Sequence, residues 1–324
     1  MSGIVDRVGK LPPDVLQQSV LRWTGAPRPE VRVGPGLGED AAVIDWPAGR
    51  RLVVTSDPIV GASNGAGRYL VQVNANDIAC KGGDPAFLVV TLIVPVKLGR
   101  NWASEVMEQV DQACRELNVA VVGGHTELTD RYDWPVIVGT MIGTTEWDLQ
   151  AGRIRPGDRL IITKHLGLEG MAILASDRPD LLKPSMTSEE IAQTADWRGR
   201  LSVLPESKIL RSRAHFMHDP TEGGFLGGLT EISRLGGLAV HLDWDALPLH
   251  PLTRRAADAL GFDPLKLISS GALLAVVPEN DAAELMGELK RSGIEAALVG
   301  EVTEGTNNWE PSADEELWGL LVRA

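Results

Sequence analysis

The chain has 324 residues, with 31 Lys and Arg against 44 Asp and Glu and a net charge of −13. That length is ample for a sizeable core without disulfides or a structural metal, and it points to about two domains. The acidic balance argues against nucleic acid and anionic lipid as partners, since phosphates are repelled and no Lys/Arg block offsets the charge. No apolar run approaches the ~20 residues of a membrane helix, and the opening MSGIVDRVGKLPPD lacks the apolar segment of a signal peptide. The two cysteines, Cys80 and Cys114, stand in no metal or redox spacing and fit a reducing compartment. A soluble cytoplasmic protein is expected.

In chain order, Val31–Val33 reads as a strand leading into a Gly-Pro-Gly-Leu-Gly turn at 34–38, and Ala41–Ile44 follows. Leu52–Thr55 is a β-branched run ending at Ser56-Asp57-Pro58. The spacing predicts a helix over Gly67–Lys81, a buried strand over Phe87–Val94, and an amphipathic helix over Asn101–Leu117 with Asn101 as its N-cap. Val119–Val122 reads as a buried strand stopped by Gly123-Gly124, and Trp134–Gly143 as another. Arg155-Pro156-Gly157-Asp158 is turn chemistry, so a boundary is placed there, giving domains 1–152 and 153–324. Beyond it strands alternate with helices: strand Arg159–Thr163, helix Gly170–Ser176, a polar helical stretch at 187–212, helix Glu222–Leu235, strand Leu238–Leu242, helix Leu252–Leu260, strand Ala272–Val277, helix Ala282–Ser292 and strand Ala296–Val299. The alternation indicates a layered α/β or α+β fold.

The chemistry-bearing pattern recurs. A strand ends, glycines loosen the backbone, and a carboxylate follows: Gly36–Asp40, Thr55–Asp57, Gly123–Glu127, and His218–Gly224, which opens a helix. Glycines admit phosphate oxygens close to the backbone, and helix N-termini favour anions. Carboxylate oxygens suit Mg²⁺, which bridges to substrate phosphates. On the 67–81 helix Asn74, Asp77 and Lys81 share an arc of about 60° among apolar neighbours. Two readings stand for that stripe, a metal–nucleotide site or an internal Asp–Lys pair. Singly, Asp57 reads as an Asx-turn, His125 as a core histidine and Cys80 as packing. Neither a Walker A sequence nor a dinucleotide fingerprint occurs in a supporting context.

Five motifs in order, Gly-Glu-Asp-Ala-Ala-Val (38–43), the Asp57 strand, Asn-Asp-Ile-Ala-Cys-Lys-Gly-Gly-Asp-Pro (76–85), Gly-Gly-His-Thr-Glu (123–127) and Asp-Pro-Thr-Glu-Gly-Gly (219–224), resemble the PurM-like superfamily of ATP-binding enzymes. Its members include aminoimidazole ribonucleotide (AIR) synthetase, thiamine-monophosphate kinase, selenophosphate synthetase and HypE. The resemblance covers nearly the whole chain. It implies a two-domain fold, a homodimer joined through the N-terminal sheets, and ATP with Mg²⁺ near that interface. It further implies Asp40, Asp57, Asp77 and Glu127 as metal ligands. Gly38, Asp40, Asn74, Asp77, Gly123, Gly124, Thr126, Thr221, Gly223 and Gly224 would bind nucleotide. Lys81 would neutralise phosphate, and Asp219 would orient the acceptor. His125 stands where the kinase turn carries an acid, and Glu127 is its substitute.

Asp-Pro-Thr-Glu-Gly-Gly and Ser269–Leu274 are most similar to HypE. The chain ends Leu320–Ala324 without a cysteine, so HypE's terminal-thiol chemistry is not expected of it. The selenophosphate-synthetase Cys–Lys element is likewise missing, the first cysteine being Cys80. The expected activity is Mg-dependent phosphoryl transfer from ATP to an oxygen of a small-molecule or protein-borne acceptor. The alternatives are a small-molecule kinase and a catalytically silent nucleotide-binding maturation or scaffold protein.

Overall fold

The computed structural model describes residues 9–37, 41–60, 64–312 and 314–323. Gly38 and Asp40 therefore lie outside the described residues. The chain divides into two compact units, one of residues 1–78 and 83–146, the other of residues 79–82 and 147–324.

The elements of the first unit are β1 (Gly9–Lys10), α1 (Pro13–Ser19), β2 (Val31–Val33), β3 (Val43–Ile44), β4 (Arg51–Ile59), α2 (Ala66–Cys80, its last two residues grouped with the second unit), β5 (Asp84–Pro95), α3 (Gly99–Leu117), β6 (Ala120–Thr129) and β7 (Val136–Thr145). Five strands form one sheet in the order β1-β6-β5-β7-β4. Only β5 and β6 pair in parallel, and α3 supplies the crossover that parallel pairing requires. Glycines let α2 lie close on β7. A Cβ at Gly139 would stand 2.9 Å from Asn74 Nδ2, and one at Gly143 would stand 2.5 Å from Ile78 Cγ2. On α2 itself, a Cβ at Gly67 would meet Val106 O of α3 at 2.4 Å. The opposite sheet face is covered at one end, where Val31, Ala42 and Ile44 pack with Phe87, Val89 and Ile142. Elsewhere it exposes apolar side chains, Leu52 at 57%, Val54 at 53% and Val136 at 40%.

Three expectations change here. The strand expected to stop at Gly123-Gly124 runs through them to Thr129. A register shift between Leu88 and Val89 absorbs the change, and Gly124 fits because a Cβ there would fall 2.0 Å from Val90 O. Asp57 lies inside β4 rather than at its end. Helix α3 begins at Gly99 with Leu98 before it, so Asn101 is in its first turn and is not the cap. Helices α1 and α11 (Glu316–Leu321) were absent from the sequence reading; each is short, with few apolar positions to reveal its period.

The second unit contains β8 (Arg159–Thr163), α4 (Leu168–Asp177), α5 (Pro179–Leu182), α6 (Ser188–Ala195), α7 (Leu204–Leu210), β9 (Phe216–His218), α8 (Gly224–Gly236), β10 (Ala239–Leu242), α9 (Pro251–Leu260), β11 (Leu274–Val277), α10 (Glu279–Arg291), β12 (Ala296–Thr303) and α11. Its sheet has the order β10-β12-β8-β11-β9, and each neighbouring pair is antiparallel. Leu160, Ile162, Leu274 and Val276 from the strands pack with Phe225 and Leu229 of α8 in one core. The polar stretch at 187–212 is two helices, the first closed by a capping box between Thr187 and Glu190. The Arg155–Asp158 turn is held by Asp158, whose carboxylate accepts from Arg155 N and from His215 Nδ1, each at 2.8 Å. Past β12, Asn307 and Asn308 accept from the backbone N–H groups of Val240 and Leu242, and Trp309 Nε1 donates to Val240 O.

One buried ion pair stands at the end of β8. Lys164 adopts a left-handed backbone, φ 55°, which turns the chain out of the strand. Its ammonium donates to Ser202 O and Gly271 O and pairs with Glu206 at 2.6 Å. Burial lowers its pKa, and Glu206 opposes that shift. Breaking such a pair from one side leaves a charge buried alone. Lys164→Met is therefore expected to cost about 3–5 kcal/mol in urea denaturation. Combining it with Glu206→Met should recover most of that loss, and a double variant no more stable than the single would overturn this account.

Candidate functional site

Two candidate acidic residues meet at the seam of β4 and α2. Strand alternation sends Thr55 and Asp57 to the face that α2 covers. Thr55 Oγ1 donates to Asp77 Oδ2 at 2.5 Å, and Asp57 N donates to Asn74 Oδ1 at 3.2 Å. Asn74 and Asp77 are three residues apart, so they share a helix face. The amide of Asn74 also donates to Leu70 O at 2.8 Å, so both its ends serve the fold. Asp77 receives that Thr55 bond on a carboxylate, a group with about four lone-pair sites.

The candidate glycines of β6 lie elsewhere in the same sheet. Gly123, Gly124 and Thr126 line a cavity of about 370 Å³ beside the Gly34–Leu37 loop. This loop leads directly into Gly38 and Asp40. The cavity's size falls within the range of small-ligand sites, roughly 300–1,000 Å³. Asp57, Gly139, Val90 and Gly124 form one row across β4, β7, β5 and β6. Three strand spacings put Asp57 and Gly124 about 14 Å apart, with Leu70 and Asn74 packed over Gly139 between them.

Glu127 does not join Asp57 and Asp77. It sits on β6, on the opposite sheet face by register, and its Oε2 lies 3.2 Å from His125 Nε2. His125 is thus a half-exposed partner of Glu127 rather than a core histidine. Among the described residues no three His, Cys, Asp or Glu side chains are gathered as a metal site. Mg²⁺ asks less than that. One or two carboxylates suffice when substrate phosphates complete its shell, and the hard oxygens of Asp57 and Asp77 fit it.

In the second unit Asp219 is 2% exposed, and Oδ1 accepts from the Cys80 thiol at 3.5 Å. Lys81 is exposed, its ammonium 4.9 Å from the Phe216 ring centroid, an arrangement of cation–π type. Helix α8 starts at Gly224, later than the expected Glu222, and both Gly223 and Gly224 have left-handed backbones. A Cβ on Gly224 would fall 2.6 Å from Leu267 O and 2.7 Å from Leu265 O, so the chain's own backbone demands this glycine. Gly223 N donates to Glu315 Oε2 at 2.8 Å. Thr221 O accepts from Gly224 N at 3.0 Å.

Two acids in this unit were not among the candidates. Glu315 accepts from the N–H groups of Gly223, Ile268 and Leu317; burial raises its pKa while those bonds oppose the rise. Glu169 is 4% exposed, and burial pushes its carboxyl up to about 7, reinforced by Asp219, Glu315 and Glu222. A single carboxylate within Leu-Glu-Gly-Met-Ala-Ile-Leu-Ala was a legible signal for Glu169, because a charge in an apolar helix demands an explanation. Glu315 offered none, being one acid in an acidic tail.

Comparison with known proteins places these features in a family. Residues 38–145 match the AIR synthase related protein, N-terminal domain, and residues 155–308 match the corresponding C-terminal domain. The carbamoyl dehydratase HypE of Bradyrhizobium diazoefficiens is 30% identical over 296 residues, covering 88% of this chain and 84% of its own. The crystal structure of HypE in complex with ATP superposes with a TM-score of 0.73 at 23% identity, covering 90% of this chain and 86% of that one. Thiamine-monophosphate kinase from Stenotrophomonas maltophilia K279a gives 0.70 at 22%, covering 88% and 93%. With the mixed α/β architecture of both units, these matches establish that the chain belongs to the AIR synthase-related, PurM-like superfamily, alongside HypE.

Proposed function

We propose that the protein binds Mg·ATP in its N-terminal region, residues 1–152, and transfers the γ-phosphoryl group to an oxygen of an acceptor handled by residues 153–324. The observation that carries this reading is the cavity lined by Gly123, Gly124 and Thr126 next to the loop entering Gly38–Asp40. The ATP bound by the HypE relative and the curated dehydratase activity of its homologue support it. Asp57 and Asp77, with Asp40, are the proposed Mg²⁺ ligands, and the bound ion would neutralise charge on the transferring phosphates. Gly123 and Gly124 would admit the nucleotide close to the backbone, Lys81 would balance phosphate charge, and Asp219 would orient the acceptor. Asn74 acts here by fixing the Asp57 backbone to α2.

The acceptor side is proposed as dehydration or phosphorylation at an amide- or carboxylate-like oxygen, as in the HypE branch. A small-molecule kinase is the second reading, favoured by the fold shared with thiamine-monophosphate kinase. Phosphorus NMR of the products separates the two, because a kinase accumulates a phosphorylated acceptor and a dehydrating enzyme releases inorganic phosphate.

We further propose that the working unit is a homodimer joined through the open sheet face. Within one chain the Asp57 seam and the Gly124 cavity stand at separate strands of one row. A second copy laid across the exposed Leu52 and Val54 would supply the complementary edge. It would also cover apolar surface that a monomer leaves in water.

Asp57→Asn and Asp77→Asn are each expected to weaken Mg-dependent ATP binding at least about tenfold, or about 1.4 kcal/mol. Calorimetry showing unchanged affinity in both variants would remove the metal assignment. Val54→Lys should convert a dimer to a monomer in sedimentation velocity, since it sets like charges face to face across a two-fold interface. A variant that sediments with the wild-type dimer would rule out this face.

A further inference from the structure

The cavity beside the Gly34–Leu37 loop has walls of two kinds. Gly123, Gly124 and the loop glycines present backbone to it. A Cβ at Gly123 would meet nothing within 4 Å, so the space in front of that residue is open. Leu11, Leu16, Val20 and Trp23 from the start of the chain, with Met107 of α3, present apolar side chains instead. Among the described residues that line the cavity, His125 has the only titratable side chain, and there is no Lys or Arg.

Trp23 stands where the chain leaves α1 and turns towards β6. Its backbone N–H donates to Val20 O at 3.0 Å. Just beyond it, Thr24 O accepts from Val121 N, Gly25 N donates to Asp111 Oδ1, and Ala26 N donates to Val119 O, each at 2.8 Å. Gly25 has a left-handed backbone, and a Cβ there would fall 2.5 Å from Val119 O. The backbone that carries the indole is thus held on both sides. The Arg22 guanidinium lies over the ring, 4.1 Å from its centroid, in a cation–π arrangement. One atom of Trp23 is unused by the fold: Nε1 is buried without a hydrogen-bond partner. A buried donor left without an acceptor is costly, and the ring nitrogens of a heteroaromatic ligand are acceptors.

We propose that Trp23 is the residue that recognises the base of the nucleotide, which lies against the indole while the phosphates stay with the Gly123-Gly124 backbone. The assignment rests on the nucleotide reading above and deepens it by ordering the ligand within the cavity. Solvation decides that order. A phosphate chain among Leu11, Leu16 and Met107 would lose its water with no cation there to replace it. The flat faces of a base lose little in the same place, and stacking on an aromatic ring favours them. A bare polyphosphate therefore gains nothing from Trp23, and a nucleoside without phosphates makes its main contact there.

The test compares Mg·ATP, adenosine and Mg·tripolyphosphate as ligands of wild type, Trp23→Leu and Trp23→Phe. In calorimetry W23L should bind Mg·ATP at least about tenfold more weakly than wild type. W23F should recover part of that loss, because it keeps a ring face and lacks only the N–H. Both variants should hold Mg·tripolyphosphate within about twofold of wild type, which a merely structural tryptophan would not predict. A second measurement needs no variant to bind. With the nine tryptophans replaced by fluorotryptophan, the fluorine resonance missing from W23F identifies Trp23. In the wild-type protein it should shift with Mg·ATP and with adenosine, and stay in place with Mg·tripolyphosphate. A Trp23 resonance that Mg·ATP leaves in place overturns the assignment. So does a folded W23L that keeps wild-type ATP affinity or loses ATP and tripolyphosphate alike. A wild-type protein that binds neither ATP nor tripolyphosphate instead overturns the nucleotide reading on which it stands.

Discussion

The face of β7 that meets α2 carries no side chain at Gly139 or Gly143, and the arrangement of the first unit follows from that. A methyl group at either position would stand 2.9 Å from Asn74 Nδ2 or 2.5 Å from Ile78 Cγ2, so the helix or those side chains would have to shift. Close approach lets Asn74 reach the backbone of Asp57, and lets Asp77 reach the hydroxyl of Thr55. Two carboxylates from distant parts of the sequence are thereby held on one seam by neutral hydrogen bonds. Carboxylate oxygens of this kind are the donors that suit Mg²⁺.

Much of this was legible before any coordinates. The strong apolar periods of α2, α3, β5, β8, β10, β11 and β12 predicted their own positions, and the two-unit α/β architecture followed. The failures share a cause. At Gly123-Gly124 the glycines signalled a turn, whereas a close strand partner, Val90, was what required the second of them. Local rules read glycine as freedom; the fold used it as clearance. The same holds at Gly224, where the backbone of 265–267 fills the space a side chain would take.

Site residues divide along the same line. Asp57 and Asp77 come together because each lies on a regular element whose period is readable. Glu127 does not, because one step of alternation on β6 turns it to the other face, and the bulge that sets this parity is invisible in the sequence. Glu169 was overlooked because motif reading favours residues beside glycine-rich turns and passes over a carboxylate inside an apolar helix. Its burial, and its crowding by Asp219, Glu315 and Glu222 from distant parts of the sequence, appear only in the fold.

The Asn-Asn-Trp run at 307–309 has a consequence for the protein's behaviour in a concentrated solution. Strand β10 ends its sheet, and the outward backbone groups of such a strand are a template on which a second molecule's strand can grow. Here Asn307, Asn308 and Trp309 occupy the donors and acceptors of Val240 and Leu242. The tail behaves as a non-propagating mimic of a neighbouring strand, satisfying the edge while offering no strand edge of its own. The β10 edge of the second unit thus carries an in-built guard against fibrous assembly.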